Sequence, residues 1–191
     1  IVSKIVKVIK SNKKIINYSK KKSLIKDVVL DNVNKDLFQT KPQKSISYII
    51  NRYIKHPIYN YKVKGIFSDD TLIALIVFRV VEINNSACIR IVDLIGCYKK
   101  IYNISDCLDS LLEKYNAEYI DCLNYGIPKS LFKNWGFNLR KNDKNIILPN
   151  YFEPFIQENI NILFAYKSKY QKYIIFKGDS DQDRPSIINK S

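Results

Sequence analysis

The chain has 191 residues and is 46% apolar, enough for one domain with a sizeable core. No apolar run reaches the roughly 18 residues that a membrane-crossing helix needs, and Lys4, Lys7 and Lys10 break up any signal-peptide core, so a cytoplasmic globular protein is expected. The formal charge is +14, but the lysines are spread along a chain equally rich in Ile, Asn and Tyr; this weighs against a nucleic-acid partner and for an acidic or phosphorylated small ligand.

Residues 1–23 place Ile1, Ile5, Val8 and Ile9 at helical spacing with lysines between. They read as a basic amphipathic helix on an anionic membrane or a further domain, or as a surface helix or linker. The chain does not begin with Met, and a missing N-terminal part is expected. The main domain is expected over residues 24–176, with a tail over 177–191. Residues 24–30 are β-branched and predict a strand. Ser45 is placed to cap a helix carrying Ile46, Ile49, Ile50 and Tyr53 on one face, and Pro57 stops it by His56.

From residue 58 the period falls to two, with Tyr59, Tyr61 and Val63 on one side and Asn60, Lys62 and Lys64 on the other. A turn at Ser68–Asp70, a long apolar run over 71–83, a turn at Asn84–Ser86 and a third apolar run over 88–96 predict an antiparallel meander. After Gly96 the period becomes helical: Ile104, Leu108, Leu111, Leu112 and Tyr115 share a stripe, with Asn103 as cap and Asp106 in the first turn. Residues 117–123 predict a strand parallel to 88–95 through a right-handed crossover. Pro128 opens a short helix with Leu131, Phe132 and Trp135 on one face, ended by Gly136 with Phe137 folding back. Short strands are expected at 138–141, 145–148 and 159–167, an aromatic turn at 149–155, and an edge strand at 172–177. The fold class is therefore α+β, an α/β/α-like arrangement on a mixed, mainly antiparallel sheet with one parallel strand–helix–strand unit over 88–124.

Four cysteines, Cys88, Cys97, Cys107 and Cys122, lie at spacings that match no zinc or CxxC pattern, and His56 is the one histidine. Buried free thiols are expected, with Cys97 in a loop as the exception, and no metal site.

The element order resembles the core of the GNAT acyltransferases, with WGF at 135–137 where many members carry Gly-Phe. YIINRYIKHPIYNYKV, IVDLIG, EYIDCLNYG, LPNYFEPF and GDSDQDRP resemble GNAT-like proteins of bacterial surface-polysaccharide biosynthesis, relatives of the FemAB-type transferases. The resemblance implies that the two parallel strands splay, that the pantetheine arm of acetyl-CoA or another acyl-CoA enters the gap, and that its pyrophosphate sits at the following helix. It places the cofactor on Ile95, Gly96, Cys97, Tyr98, Lys99, Lys100, Asn103 and Asn124. This loop keeps one glycine, and Tyr98 and Tyr102 are bulky where a backbone must approach a phosphate.

Acyl transfer to an amine needs a base and donors for the developing oxyanion. Asp93, on the alternating face of Ile89, Ile91 and Ile95, reads as that base, or as a buried carboxylate paired with Arg79, Arg90 or a backbone amide. Tyr125 reads as an acid toward a thiolate or as a turn-ordering side chain, beside Asp121 and Asn124 at the same gap. His56 reads as a base or as a cap before Pro57. Arg52, Tyr59, Tyr61 and Glu153 are the candidate contacts to an acceptor. The expected activity is N-acyl transfer to an amino sugar or related precursor, by a protein that could act as a homo-oligomer. The alternatives are a non-catalytic GNAT-fold binding module and a basic nucleic-acid-binding protein. Residues 178–185 lack the distant Glu of an EF-hand and read as a solvated tail or as an Asp–Arg network that pins the terminus.

Overall fold

Two aspartates in left-handed conformation, Asp69 (φ 47°) and Asp70 (φ 60°), turn the chain between β2 (Lys62–Ser68) and β3 (Thr71–Ile83). Two successive residues at positive φ match the right-handed twist of a hairpin, which is why a short polar Asp-Asp pair suffices between long apolar strands. The computed structural model describes residues 21–83, 85–139, 147–148, 158–159 and 163–179. Within them β1 (Leu24–Lys26), β2, β3, β4 (Ser86–Gly96) and β5 (Tyr119–Cys122) form a five-stranded sheet in that spatial order. All neighbours are antiparallel except β4 and β5. The molecule is thus mixed α+β, with a mainly antiparallel sheet and one parallel pair, as the periodicity predicts.

The connection between the parallel strands is α2 (Ser105–Lys114); its N-cap is Ile104 rather than the expected Asn103, whose Oδ1 still accepts from Ser105 N at 2.9 Å. Its apolar stripe and that of α3 (Lys129–Asn134) cover one face of the sheet, where Ile104, Leu108, Phe132 and Trp135 pack on Ile76, Phe78, Ile89 and Ile91. α3 ends as predicted. Gly136 lies at φ 88°, Phe137 N donates to Phe132 O at 2.9 Å, and the two rings meet at 5.5 Å. The other face is covered by the helical segment that starts at Ser45: α1 (Ile46–Ile49) widens into a π-helical stretch over Ile50–Ile54. Ile49 and Tyr53 pack there on Leu75, Val77, Val92 and Ile95.

β4 contains one residue more than β3 can pair. Phe78 faces Ile91 and Val77 faces Asp93, leaving Val92 as a bulge. Directly paired residues share a face, so Ile89 and Ile91 point to α2 and α3, while Asp93 and Ile95 point to Tyr53 on the opposite face. This corrects the expectation that Asp93 shares a face with Ile89 and Ile91, because simple alternation does not survive an inserted residue.

Other expectations change at the ends of elements. The strand expected at 24–30 stops at Lys26, and a single 3-10 turn follows at Leu30–Asn32. Tyr59 and Tyr61 are buried but precede β2. The described part of the strand expected at 159–167, residues 163–167, is not in a strand. The edge strand expected at 172–177 is instead β7 (Ile175–Phe176), paired antiparallel with β6 (Asn124–Tyr125) and buried at Phe176. Lys177 and Gly178 are buried as well, so the start of the expected tail belongs to the core. All but residues 21–23 of the helix or linker expected at the N-terminus, the turn containing Glu153 and the end of the GDSDQDRP segment lie outside the described residues.

Candidate functional site

The parallel pairing of β4 and β5 runs only from Cys88–Tyr119 to Ile91–Cys122. Beyond it β4 continues to Gly96 with a strand partner on its β3 side only, among the described residues. The chain after Cys122 turns aside into β6. The strands therefore part where the resemblance implies a gap.

That gap is occupied by residues 174–179. Ile174 N donates to Lys41 O at 2.8 Å, Lys177 N donates to Leu123 O at 3.3 Å, and β7 pairs with β6. Gly178 lies so close to β4 that a Cβ there would sit 2.8 Å from Val92 O and 2.4 Å from the Tyr53 hydroxyl. Only a hydrogen atom fits, which explains glycine at this position without appeal to backbone conformation. Among the described residues a water-sized hollow remains there, lined by Lys41, Pro42, Lys44, Leu94 and Phe176.

Four polar side chains meet behind this plug. The Lys44 ammonium donates to both oxygens of Asp93 at 2.6 Å and pairs with Asp179 at 2.8 Å. The Tyr53 hydroxyl donates to Asp93 Oδ2 at 2.7 Å, and Leu94 N donates to Oδ1 at 2.9 Å. Asp93 is fully buried and Lys44 is 8% exposed. Burial raises the Asp93 carboxyl above its usual range; Lys44 pulls it down, and Asp179 adds to the rise. For Lys44, burial alone lowers the pKa, but Asp93 and Asp179 together outweigh it and the net direction is up. The Tyr53 phenol is raised by burial and by Asp93. Asp93 is thus the buried carboxylate of the second reading and holds a backbone amide, that of Leu94, as that reading has it, but its counter-charge is Lys44 rather than Arg79 or Arg90. Arg90 instead pairs bidentately with Asp121, with Nη2 to Oδ2 at 2.6 Å and Nε to Oδ1 at 3.0 Å.

The other catalytic candidates are not brought to Asp93. His56 Nδ1 accepts from Ile58 N at 3.2 Å and Tyr59 N at 2.9 Å, and its ring stacks on Tyr59. It closes the turn around Pro57, as its capping reading has it. Tyr125 is exposed and hydrogen-bonded to the Tyr166 hydroxyl at 3.2 Å, while Asn124 reaches Cys122 Sγ at 4.0 Å. Asp121, Asn124 and Tyr125 therefore do not converge on one gap. Arg52 donates to Gly178 O through Nε and Nη2 at 3.3 and 3.2 Å and so holds the plug. Tyr61 packs against Tyr53, and Tyr59 lies under the Arg79 guanidinium at 3.9 Å.

Four amides of the loop from Ile95 to Asn103 donate to β3, to the loop itself and to the residue before β1. Cys97 N goes to Ile73 O, Lys100 N to Cys97 O, Ile101 N to Tyr98 O, and Tyr102 N to Ser23 Oγ. Lys22 bridges to Asn103 and pairs with Asp106 at 2.5 Å, so it already sits over the first turn of α2. A pyrophosphate at a helix start relies on free amides and open dipole ends, and here the first of these amides, Ser105 N, is taken by Asn103 Oδ1. Lys99 and Lys100 end a 3-10 turn at the surface.

All four cysteines are free. Cys88 is buried, and burial together with Asp121 pushes its thiol up to about 12; Cys97 is exposed. Alkylation at pH 8 is expected to label Cys97 within minutes and to leave Cys88 unmodified until denaturant is added, read by peptide mass spectrometry. Rapid labelling of Cys88 in the folded protein is the contrary result. Among the described residues no group of three His, Cys, Asp or Glu side chains is arranged to hold a metal ion.

Sequence reasoning missed Lys44, Tyr53 and Asp179 as partners of Asp93. The one available signal is the run of acids in GDSDQDRP, with Asp179 as its first member. No family model matches the chain, and neither a curated protein nor a solved structure does. No helix among the described residues is long and apolar enough to cross a membrane.

Proposed function

We propose that the chain is a non-catalytic binding module built on a GNAT-like sheet, with the donor gap closed by its own backbone. The observation that carries this reading is the seating of residues 174–179 against Val92 and Leu123, anchored by Lys44–Asp179 and by Arg52. The committed amides of the Gly96–Asn103 loop support it independently. So does the enclosure of Asp93, which is fully buried with its oxygens held by Lys44, Tyr53 and Leu94 N, because a general base must lie within hydrogen-bond reach of the proton it takes.

The test is a titration with CoA and acetyl-CoA. A ligand bound at a Kd of about 10 μM adds about 2.7 kcal/mol at 1 mM, which raises Tm by about 5–11 °C in a chain of this size. No shift and no calorimetric heat are expected; a shift of that size overturns the reading. A second reading, acyl-CoA-dependent N-acyl transfer to an amino sugar or related surface-glycan precursor, is favoured by one observation. β4 and β5 part at the bulge, and a polar cluster lies at that point. It requires residues 174–179 to withdraw, and an acetyl-CoA-induced Tm rise together with N-acylated product is its signature.

A further inference from the structure

Residues 163–173 carry a surface that neither the sheet nor the closed gap uses. Phe164, Tyr166 and Tyr173 form a column of near-parallel rings, with interplanar angles of 25° and 13° and centroids 6.2 and 5.6 Å apart. Tyr125 abuts it edge-on, 5.5 Å from Phe164. In the same stretch Tyr170 has Lys41 Nζ and Lys169 Nζ over its ring, 4.9 and 5.4 Å from the centroid. Phe164 is 50% exposed, Tyr166 46% and Tyr170 42%, and Lys167 and Lys169 are exposed too. From Asn159 to Gly178 the chain has no Asp or Glu. Leaving large rings in water costs burial free energy, and doing so among exposed lysines suits a partner that is both flat and anionic.

We propose that this surface binds single-stranded nucleic acid, with bases stacking on Phe164 and Tyr170 and phosphates meeting Lys41, Lys167 and Lys169. A base continues a column of near-parallel rings because every base has a π-face, and lysines supply the sequence-independent phosphate attraction. An acidic polysaccharide matches the charge but offers no aromatic face to extend the column. The chain's excess of 32 Lys and Arg over 18 Asp and Glu strengthens the long-range attraction. The inference deepens the binding-module reading, but on a surface separate from the closed gap. CoA carries an adenine and phosphates of its own, so the two readings are separated with Phe164→Ala/Tyr170→Ala: CoA binding that survives these substitutions belongs to the gap and overturns the module reading, whereas CoA binding lost with them belongs to this surface.

The experiment is fluorescence anisotropy of the full chain with labelled 12-nucleotide oligo-dT and oligo-U. Three phosphate contacts on a single strand predict about a twentyfold loss of affinity between 50 and 200 mM salt. At fixed salt, Phe164→Ala with Tyr170→Ala is expected to weaken binding about tenfold or more. These side chains are exposed, and an unchanged circular dichroism spectrum checks the fold. Lys41→Gln with Lys169→Gln is expected to lower the salt slope. Absence of binding at 50 mM salt overturns the proposal. So does equal or tighter binding of an acidic polysaccharide, or an affinity for oligonucleotide that the aromatic substitutions leave unchanged, since either reduces the surface to a simple polyanion attractor.

Discussion

Lys44→Ala is expected to cost about 3–5 kcal/mol of folding stability at neutral pH, measured by chemical denaturation. The substitution leaves the fully buried Asp93 carboxylate with a phenol and an amide but no counter-charge, and it leaves Asp179 without its anchor. The groups that face one another here are Lys44, Asp93, Asp179, Tyr53 and, beneath the ammonium, Tyr48. The pH dependence follows from the directions of their shifts. Lys44 is raised above 10.5, so its contribution is fully present below 10.5 and disappears as pH climbs through its folded value. Asp93 is also raised, so ionising it costs stability as pH rises from 3.8 through its folded value. In the variant the penalty therefore shrinks on acidification, because a protonated Asp93 needs no cation. A penalty below 1 kcal/mol at pH 7, or one independent of pH, contradicts a buried triad. A companion variant, Lys44→Met with Asp93→Leu and Asp179→Leu, is expected to recover much of the loss, since a buried pair replaced whole by apolar groups is often neutral.

Asp121→Ala is expected to have an effect of the same order, about 3–5 kcal/mol. Arg90 is 1% exposed, and burial, which lowers its pKa, is outweighed by Asp121. Loss of that carboxylate withdraws a bidentate partner from a charge that cannot reach water. Asp121 lies opposite Arg90 in the parallel register, so the pair also fixes how β4 and β5 align. Hydrogen exchange at Ile120 and Cys122 is expected to quicken in Asp121→Ala more than exchange in β2 does. Equal acceleration across the sheet points to general destabilisation and removes the register role.

The meander and the strand–helix–strand unit were legible because each rests on local periodicity. Runs over 71–83 and 88–96 are mostly apolar, and the stripe from Ile104 to Tyr115 has a helical spacing. The Gly136–Phe137 ending of α3 was legible for the same reason, since its partners are all within a turn. The site was not. A bulge leaves no mark in an apolar run, so nothing before the structure separates Val92 from its neighbours or moves Asp93 to the Tyr53 face. Lys44 stands in a polar loop and reads as a solvated cation; its burial depends on Asp93, 49 residues away. Ile175 and Phe176 read as an edge strand because a two-residue pairing with Asn124 and Tyr125 is set by tertiary contact rather than by propensity. The aromatic surface was visible only as composition, since stacking depends on how an irregular stretch folds back on itself.

The plug also bears on the order in which the molecule is made. Residues 174–179 leave the ribosome after every element they touch, from Lys41 to Leu123. At about 5–20 residues per second, the roughly 57 residues between Cys122 and Asp179 take about 3–11 s to emerge. For that interval Lys44 and Asp93 stand as a pair without their third member, and β4 and β5 part over an empty space. A chaperone or small molecule that reaches the nascent chain then meets a cleft that the finished protein no longer has.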